Sequence, residues 1–297
     1  MNLNRITKVV ASSAALLLLT SGCSQSSKFQ TVEVLTTTNV WSDITKSIAG
    51  TNFSVEPILT NTNQDPHSYE ATVLDQLKVS KAKLIIAACN ESDAFIKQLV
   101  KTETNLLCLA SDLDPKANPH IWYQPDSVLA ASQKILASLR KLKPASETQL
   151  ISNFENFDQA RNSFNASLAN PGSEIASKLN NKSFTAVEPV ANYLLTQMGL
   201  QDLTPDNVKQ AGLNETDLSP TEIAELKTAT EKAGMFAFNS SQPSLQSSLI
   251  QKWLKANPQR PLAVGFSEQL QRGVHYLDWM KQNRNAIWGA LTKMTID

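Results

Sequence analysis

Two of the chain's three histidines directly follow a proline, in Asp65-Pro66-His67 and Asn118-Pro119-His120. Imidazole is the commonest protein ligand for transition metals, and a preceding proline restricts the backbone that aims each ring. One local context used twice in a histidine-poor chain points to a single site built from distant segments. In parallel α/β sheets functional groups gather beyond the carboxyl ends of strands. On that reading His67 lies in the loop after a strand at 53–59, and His120 in the loop after a strand at 106–109. Glu188 comes directly after a strand at 183–187, and Glu268 follows a strand at 262–266 by one serine. Two neutral imidazoles and two carboxylates suit zinc, manganese or iron(II); copper(I) prefers sulfur, and calcium takes more oxygens. Each residue also has a plainer reading. A loop histidine is usually a surface or hydrogen-bonded group, Glu188-Pro189 reads as a helix start favoured by the dipole, and Glu268 reads as a solvated loop acid.

The elements that must position these residues alternate in type. Short β-rich apolar runs at 32–35, 53–59, 84–88 and 106–109 are separated by helical stretches at 40–48, 73–79 and 92–100. Strands spaced by helices predict crossover units and a parallel sheet. The middle of the chain carries helical periodicity at 126–142 and 146–168, divided by Pro144 and closed by Asn170-Pro171-Gly172. A helix of about 23 residues reaches about 35 Å, enough to cross a lobe. It reads as a stiff connector between lobes or, equally by periodicity, as a helix packed within one lobe. Alternation then resumes, with strands at 184–187, 235–238 and 262–266 and helices at 190–198, 244–254 and 276–291. A loop containing Pro205 leads to a further helix opened by Ser219-Pro220-Thr221-Glu222, which has the form of a capping box with proline at the first helical position.

At 297 residues the chain is long enough for two compact lobes. The first 22 residues read as a secretory leader, with Arg5 and Lys8 ahead of an apolar run at 9–19. Gly22-Cys23 then looks like a lipoprotein cleavage box, making Cys23 the lipidated first residue of the mature chain and 23–30 a tether. An ordinary signal peptide with an incidental cysteine is the competing reading. Without Arg5 and Lys8 the chain carries 25 basic and 27 acidic residues, so there is no electrostatic case for nucleic acid. Cys89 and Cys108 lie in apolar runs that read as buried strands, and two reduced core thiols are expected rather than a disulfide. Domain limits on this reading are 31–143 for the first lobe, 144–181 for a helical connection and 182–297 for the second lobe.

The segments Asp65-Pro66-His67-Ser68-Tyr69-Glu70 and Asn118-Pro119-His120-Ile121-Trp122 resemble two signature segments of the metal-binding cluster of bacterial ABC-transporter substrate-binding lipoproteins, the family 9 type of periplasmic solute-binding protein. Residues 82–90, Phe238-Asn239 with Gln242, and Tyr276-Leu277-Asp278-Trp279-Met280 are also similar to that family. The resemblance implies two Rossmann-like lobes with parallel sheets joined by a long rigid helix, and a metal in the cleft between them. It implies His67 and His120 as first-lobe ligands, Glu188 as the third ligand and Glu268 as the fourth, with His275 a further candidate seven residues on. The chain departs from zinc-type relatives in lacking a histidine-rich loop between the two motifs, and in carrying Cys89 beside Asn90 where glycine is common after the asparagine.

The expected function is therefore capture of zinc or manganese, with iron(II) also compatible. Delivery to an ABC permease and its ATPase would follow, by a monomer anchored outside the cytoplasm through lipid on Cys23. It is not expected to be an enzyme, since no His-Glu-x-x-His helix, nucleophile elbow or phosphate loop is found. The rival readings are a secreted metal-dependent hydrolase and a surface adhesin with a structural metal.

Overall fold

The computed structural model describes residues 32–292 apart from 63, 102–104, 115 and 180. The leader, Cys23 and the tether lie outside the described residues. The first lobe runs β1 (Val34–Thr36), α1 (Asn39–Ala49), β2 (Val55–Pro57), α2 (Val73–Lys81), β3 (Leu84–Ala87), α3 (Ile96–Leu99) and β4 (Leu106–Cys108). Its strands are all parallel, in the order β2-β1-β3-β4. Every residue of β1 and β3 is buried, as expected for inner strands covered by helices on both faces.

Three helices then follow without strands: α4 (Pro125–Leu142), α5 (Glu147–Leu168) and α6 (Ser173–Lys178). The second lobe is β5 (Ser183–Ala186), α7 (Asn192–Gln197), β6 (Gln201–Asp202), α8 (Asp206–Leu213), α9 (Pro220–Lys232), β7 (Met235–Asn239), α10 (Leu245–Lys255), β8 (Leu262–Phe266) and α11 (Tyr276–Thr292). Its parallel sheet has the order β6-β5-β7-β8, repeating the pattern of the first. The capping box opening α9 is present: the Ser219 side chain accepts from the Glu222 backbone N–H, and the Glu222 carboxylate accepts from that of Ser219.

The long helix α5 belongs to both halves. It packs on α1 and α4 from one side and on α11 from the other, burying Leu150, Phe157, Phe164 and Leu168. The buried Arg161 donates to the Pro125 carbonyl, Asn153 donates to the Ile48 carbonyl, and the Arg284 guanidinium on α11 reaches Ser167. The main apolar core is accordingly continuous through both lobes, taking in Trp41, Trp122, Phe184, Phe266 and Trp288. Helix α11 closes this core: the buried Tyr276 hydroxyl donates to the Trp122 carbonyl at 2.7 Å, two residues beyond His120.

Several expected elements are shorter than the sequence implies. The helix expected at 92–100 begins as a 3-10 turn at Glu91–Asp93 and is α-helical only at Ile96–Leu99. The strand expected at 53–59 is regular only at Val55–Pro57. Helix α8 and the two-residue strand β6 occupy what reads in sequence as a loop around Pro205. Gly212 near the end of α8 permits a backbone approach that no other residue allows, since a Cβ there would lie 2.1 Å from the Val187 carbonyl oxygen. That contact sets the end of α8 against the residue preceding Glu188.

The expectation of two reduced thiols is wrong: Cys89 and Cys108 form a disulfide with Cα atoms 5.2 Å apart. The apolar runs suggest separate buried strands, but β3 and β4 are parallel neighbours with Ala87 opposite Cys108, which brings Cys89 within bonding range in the turn beyond β3. Cys89 sits there with φ +62°, in the left-handed region where the resemblance implied a glycine nearby. Beside it the buried Asp93 carboxylate accepts from the Thr37 hydroxyl and from the backbone N–H groups of Ala88 and Cys89. Replacing both cysteines by serine is expected to lower unfolding free energy by about 3 kcal/mol, the typical effect of closing a ring of this size, in urea titrations. Free thiols at Cys89 and Cys108 in the unreduced, denatured protein would show that the bond is absent. Gly212→Ala should cost about 1–3 kcal/mol by overpacking against Val187, measured in the same titrations.

Candidate metal centre

Each Pro-His tripeptide folds as a turn closed by its first residue. The Asp65 carboxylate accepts from the His67 backbone N–H at 2.9 Å and from the Ser68 hydroxyl at 2.8 Å. The Asn118 side-chain oxygen accepts from the His120 backbone N–H at 3.1 Å. This is the turn chemistry that Asp and Asn favour, and it explains the residue type ahead of each proline. Asn90, next to the disulfide, donates from its side chain to the Pro119 carbonyl and braces the second turn.

The Asn118 amide does more than close its turn. Its Nδ2 donates to the Pro189 carbonyl in the second lobe at 2.7 Å, so its oxygen must face His120, whose Nδ1 lies 2.7 Å away. An accepting oxygen there requires the proton on Nδ1 and leaves the Nε2 lone pair free. At His67 the Glu215 carboxylate takes the equivalent role, 2.8 Å from Nδ1. Both rings therefore present Nε2 inward, toward Glu268.

Glu268 is 4% exposed and is held by three contacts around it. Its Oε1 accepts from the Asn239 side chain at 2.5 Å, the Tyr123 hydroxyl donates to the Ser267 carbonyl, and Asn39 at the start of α1 forms a reciprocal pair with the Leu270 backbone. The other oxygen, Oε2, lies 3.6 Å from His67 Nε2 and 3.8 Å from His120 Nε2. Neither Glu268 Oε2 nor His120 Nε2 has a hydrogen-bond partner, although both are buried. All three ligand atoms lie within 4.8 Å of one another. Tetrahedral zinc with bonds of about 2.0–2.1 Å holds its ligands about 3.4 Å apart, so a small contraction suffices to close these atoms on one ion.

Of the four residues singled out in sequence, the structure brings together His67, His120 and Glu268. Glu188 lines the same cleft, a space of about 190 Å³, but its carboxylate is engaged elsewhere. It accepts from the Ser247 hydroxyl at 2.8 and 3.1 Å and from the Asn239 backbone N–H at 3.4 Å. His275 stands apart from the cleft, exposed and bonded through Nδ1 to Asp43 at 2.8 Å. Sequence reading missed the roles of Asn239, which touches both glutamates, and of Glu215. The signal for Asn239 was its position at the end of β7; Glu215 sits in a polar Asn-Glu-Thr-Asp run with no signal of its own.

Protonation follows from burial and neighbouring charge. Burial pushes Glu268 up to about 7, against the opposing charge of His67. Burial depresses His67, but the hydrogen bond to Glu215 and the charges of Glu268, Glu215 and Asp65 outweigh it and leave this imidazole above its ordinary value. His120 is driven well below the usual range by burial, with the charge of His67 adding to it.

The sequence profile of the periplasmic zinc-uptake complex component A, ZnuA, matches residues 34–290. The chain belongs to this family. Among curated proteins, a stretch of 70 residues is 40% identical to the manganese ABC transporter substrate-binding lipoprotein PsaA of Streptococcus pneumoniae, covering 24% of this chain and 22% of that relative's length. Among solved structures the chain is similar to the periplasmic zinc-binding protein TroA from Treponema pallidum, at 18% identity and a TM-score of 0.71, covering 87% of this chain and 98% of that one. It is similarly related to a manganese-bound periplasmic metal-binding protein from Candidatus Liberibacter asiaticus, with 20% identity, a TM-score of 0.69, and coverage of 87% and 98%. The laminin-binding protein Lmb of Streptococcus agalactiae, described as having adhesin and metal-transporting activity, aligns at 19% identity and a TM-score of 0.72, again covering 87% and 98%. At these identities the structures establish a shared fold of two parallel-sheet α/β lobes. The family match and the shared fold together make this chain a member of a zinc-uptake family whose structural relatives include zinc- and manganese-binding proteins.

A metal bound here must displace protons from Glu268 and from His67, both of which hold them more tightly than usual. Affinity therefore reaches its full value only well above pH 7 and declines as pH falls through it, by roughly 10- to 100-fold between pH 7.5 and 5.5. Calorimetric zinc titrations in buffers of different ionisation enthalpy should show proton release at pH 7. A binding enthalpy independent of buffer contradicts this.

Proposed function

We propose that the protein captures a zinc or manganese ion outside the cytoplasm and delivers it to an ABC permease coupled to an ATPase. The observation that carries this reading is the convergence of three ligand-type atoms within 4.8 Å of one another, two of them buried and without hydrogen-bond partners. A free carboxylate oxygen and a free imidazole nitrogen facing each other in a low-dielectric cleft repel as lone pairs, and a divalent cation relieves that repulsion. No nucleophile or second proton-transfer group is needed for such a site to work, because capture and release involve no bond-making in the cargo beyond coordination.

On this reading His67, His120 and Glu268 are ligands, and Glu188 supplies the fourth by turning from Ser247 into the cleft it already lines. A donor set of two imidazoles and two carboxylates accepts either metal, with the oxygens favouring manganese and the usual affinity order favouring zinc. Lipidation at Cys23 would hold the monomer at the membrane surface, with 23–30 as its tether. Mass spectrometry of protein from membranes, compared with Cys23→Ala, tests that anchor.

The central test is metal titration of the purified mature chain by chelator competition. His67→Ala and His120→Ala should each weaken zinc binding by at least about 100-fold, since a ligand is removed rather than a residue that orients one. Glu188→Gln should weaken manganese more than zinc, because manganese relies more on hard oxygen ligands. Unchanged zinc affinity in His67→Ala sinks the assignment.

A further inference from the structure

The two ligand histidines are oriented from different places. His120 is fixed by Asn118, two residues earlier in its own turn. The corresponding residue of the first turn, Asp65, places its oxygens on the His67 backbone N–H and on the Ser68 hydroxyl instead, and the His67 ring is met by Glu215 from the opposite lobe. We propose that Glu215 is a positioning residue, a cross-cleft latch that makes His67 an Nε2 ligand only while the segment following α8 is docked, and so sets how long the metal stays bound. This inference rests on the metal-capture reading and adds a residue to it.

The segment that carries Glu215 is built for one placement. Gly212 allows α8 to abut the Val187 carbonyl, beside Glu188, and the Asn214 and Thr216 backbone N–H groups return to the Gln210 and Ala211 carbonyls. Glu215 itself adopts φ +53°, which side-chain-bearing residues seldom occupy. The Ser219–Glu222 capping box then begins α9 directly after it. Glu215 is thereby presented from a braced turn, yet its side chain is 61% exposed at the mouth of the cleft and contributes little buried packing. Its partner ring is 10% exposed and has Nε2 aimed at Glu268. Withdrawal of the segment leaves His67 Nδ1 without its acceptor, so the proton exchanges between the two ring nitrogens and the inward lone pair is lost for part of the time. Separation of the lobes and loosening of the ligand then become one event.

The test uses the mature chain with zinc as the probe. Wild type, Glu215→Ala, Glu215→Gln and Glu91→Gln are compared, Glu91 lining the same cleft mouth and serving as a charge control. Zinc dissociation is followed by stopped-flow chelator chase, and the His67 tautomer by nitrogen-15 NMR of the metal-free protein at pH 8. Glu215→Ala should raise the dissociation rate about 10- to 100-fold, the range for lost outer-shell partners, and give a mixed His67 tautomer with unchanged thermal unfolding. Glu215→Gln, whose amide oxygen still accepts, should keep the tautomer and lose only a few-fold. Glu91→Gln should match wild type. Wild-type dissociation and tautomer in Glu215→Ala overturn the latch, as does an equal effect in Glu91→Gln, which would assign the effect to charge at the mouth. If wild type binds no zinc, the metal-capture reading falls and the latch with it; if His67→Ala weakens binding while Glu215→Ala does not, the latch alone fails.

Discussion

A buried carboxylate oxygen and a buried imidazole nitrogen left without hydrogen bonds each cost a folded chain about 1–3 kcal/mol, and much of this structure is arranged to hold them so. Glu268 Oε2 and His120 Nε2 lie 3.8 Å apart without hydrogen-bond partners, while every other polar atom of the same side chains is satisfied. Left to relax, either group would rotate toward a donor or toward water. Asn239, Asn118 and the Ser267 carbonyl's bond to Tyr123 prevent that rotation by occupying the remaining faces. Asparagine is well suited to the task because one amide offers an acceptor to a ring N–H and a donor to a carbonyl at once.

Holding His67, His120 and Glu268 from two lobes at fixed separation requires that the lobes share more than a hinge. Here they share a core. Helix α5 lies against α1, α4 and α11, and Tyr276 of α11 reaches the Trp122 carbonyl beside His120. Asn39 at the start of α1 pairs with the Leu270 backbone just after Glu268, so the first helix of one lobe fixes the acid of the other. The long helix thus acts as a common wall, which reconciles the two roles its periodicity allowed.

The sequence made much of this legible and left some of it dark for identifiable reasons. Alternating apolar runs located all four strands of the first sheet and β5, β7 and β8 of the second, most clearly the inner strands β1, β3, β5 and β7, where burial on both faces makes a contiguous apolar string. Strand β6 escaped because Gln201-Asp202 contributes only backbone pairing at a sheet edge, and α8 because its Asp-Asn-Val-Lys-Gln sequence carries a weak apolar stripe. The repeated Pro-His context marked both histidines since Asx turns need a particular residue at a fixed spacing. Position after a strand marked Glu268 equally well. It could not show that Glu188 turns toward Ser247, because the direction of a side chain depends on what α10 brings beside it. The disulfide was hidden in the same way: strand neighbours are a property of topology, and Cys89 and Cys108 become adjacent only when β4 is laid beside β3.

The Cys89–Cys108 bond ties down the turn from which Asn90 supports the Pro119 carbonyl, one peptide away from His120. Such a bond persists in an oxidising compartment and is kept open by cytosolic reductants. Completion of the turn that holds His120 is therefore tied to where the chain resides. Reduction leaves that turn held by hydrogen bonds alone, so chemistry at a bond remote from the cleft bears on the loop that carries His120.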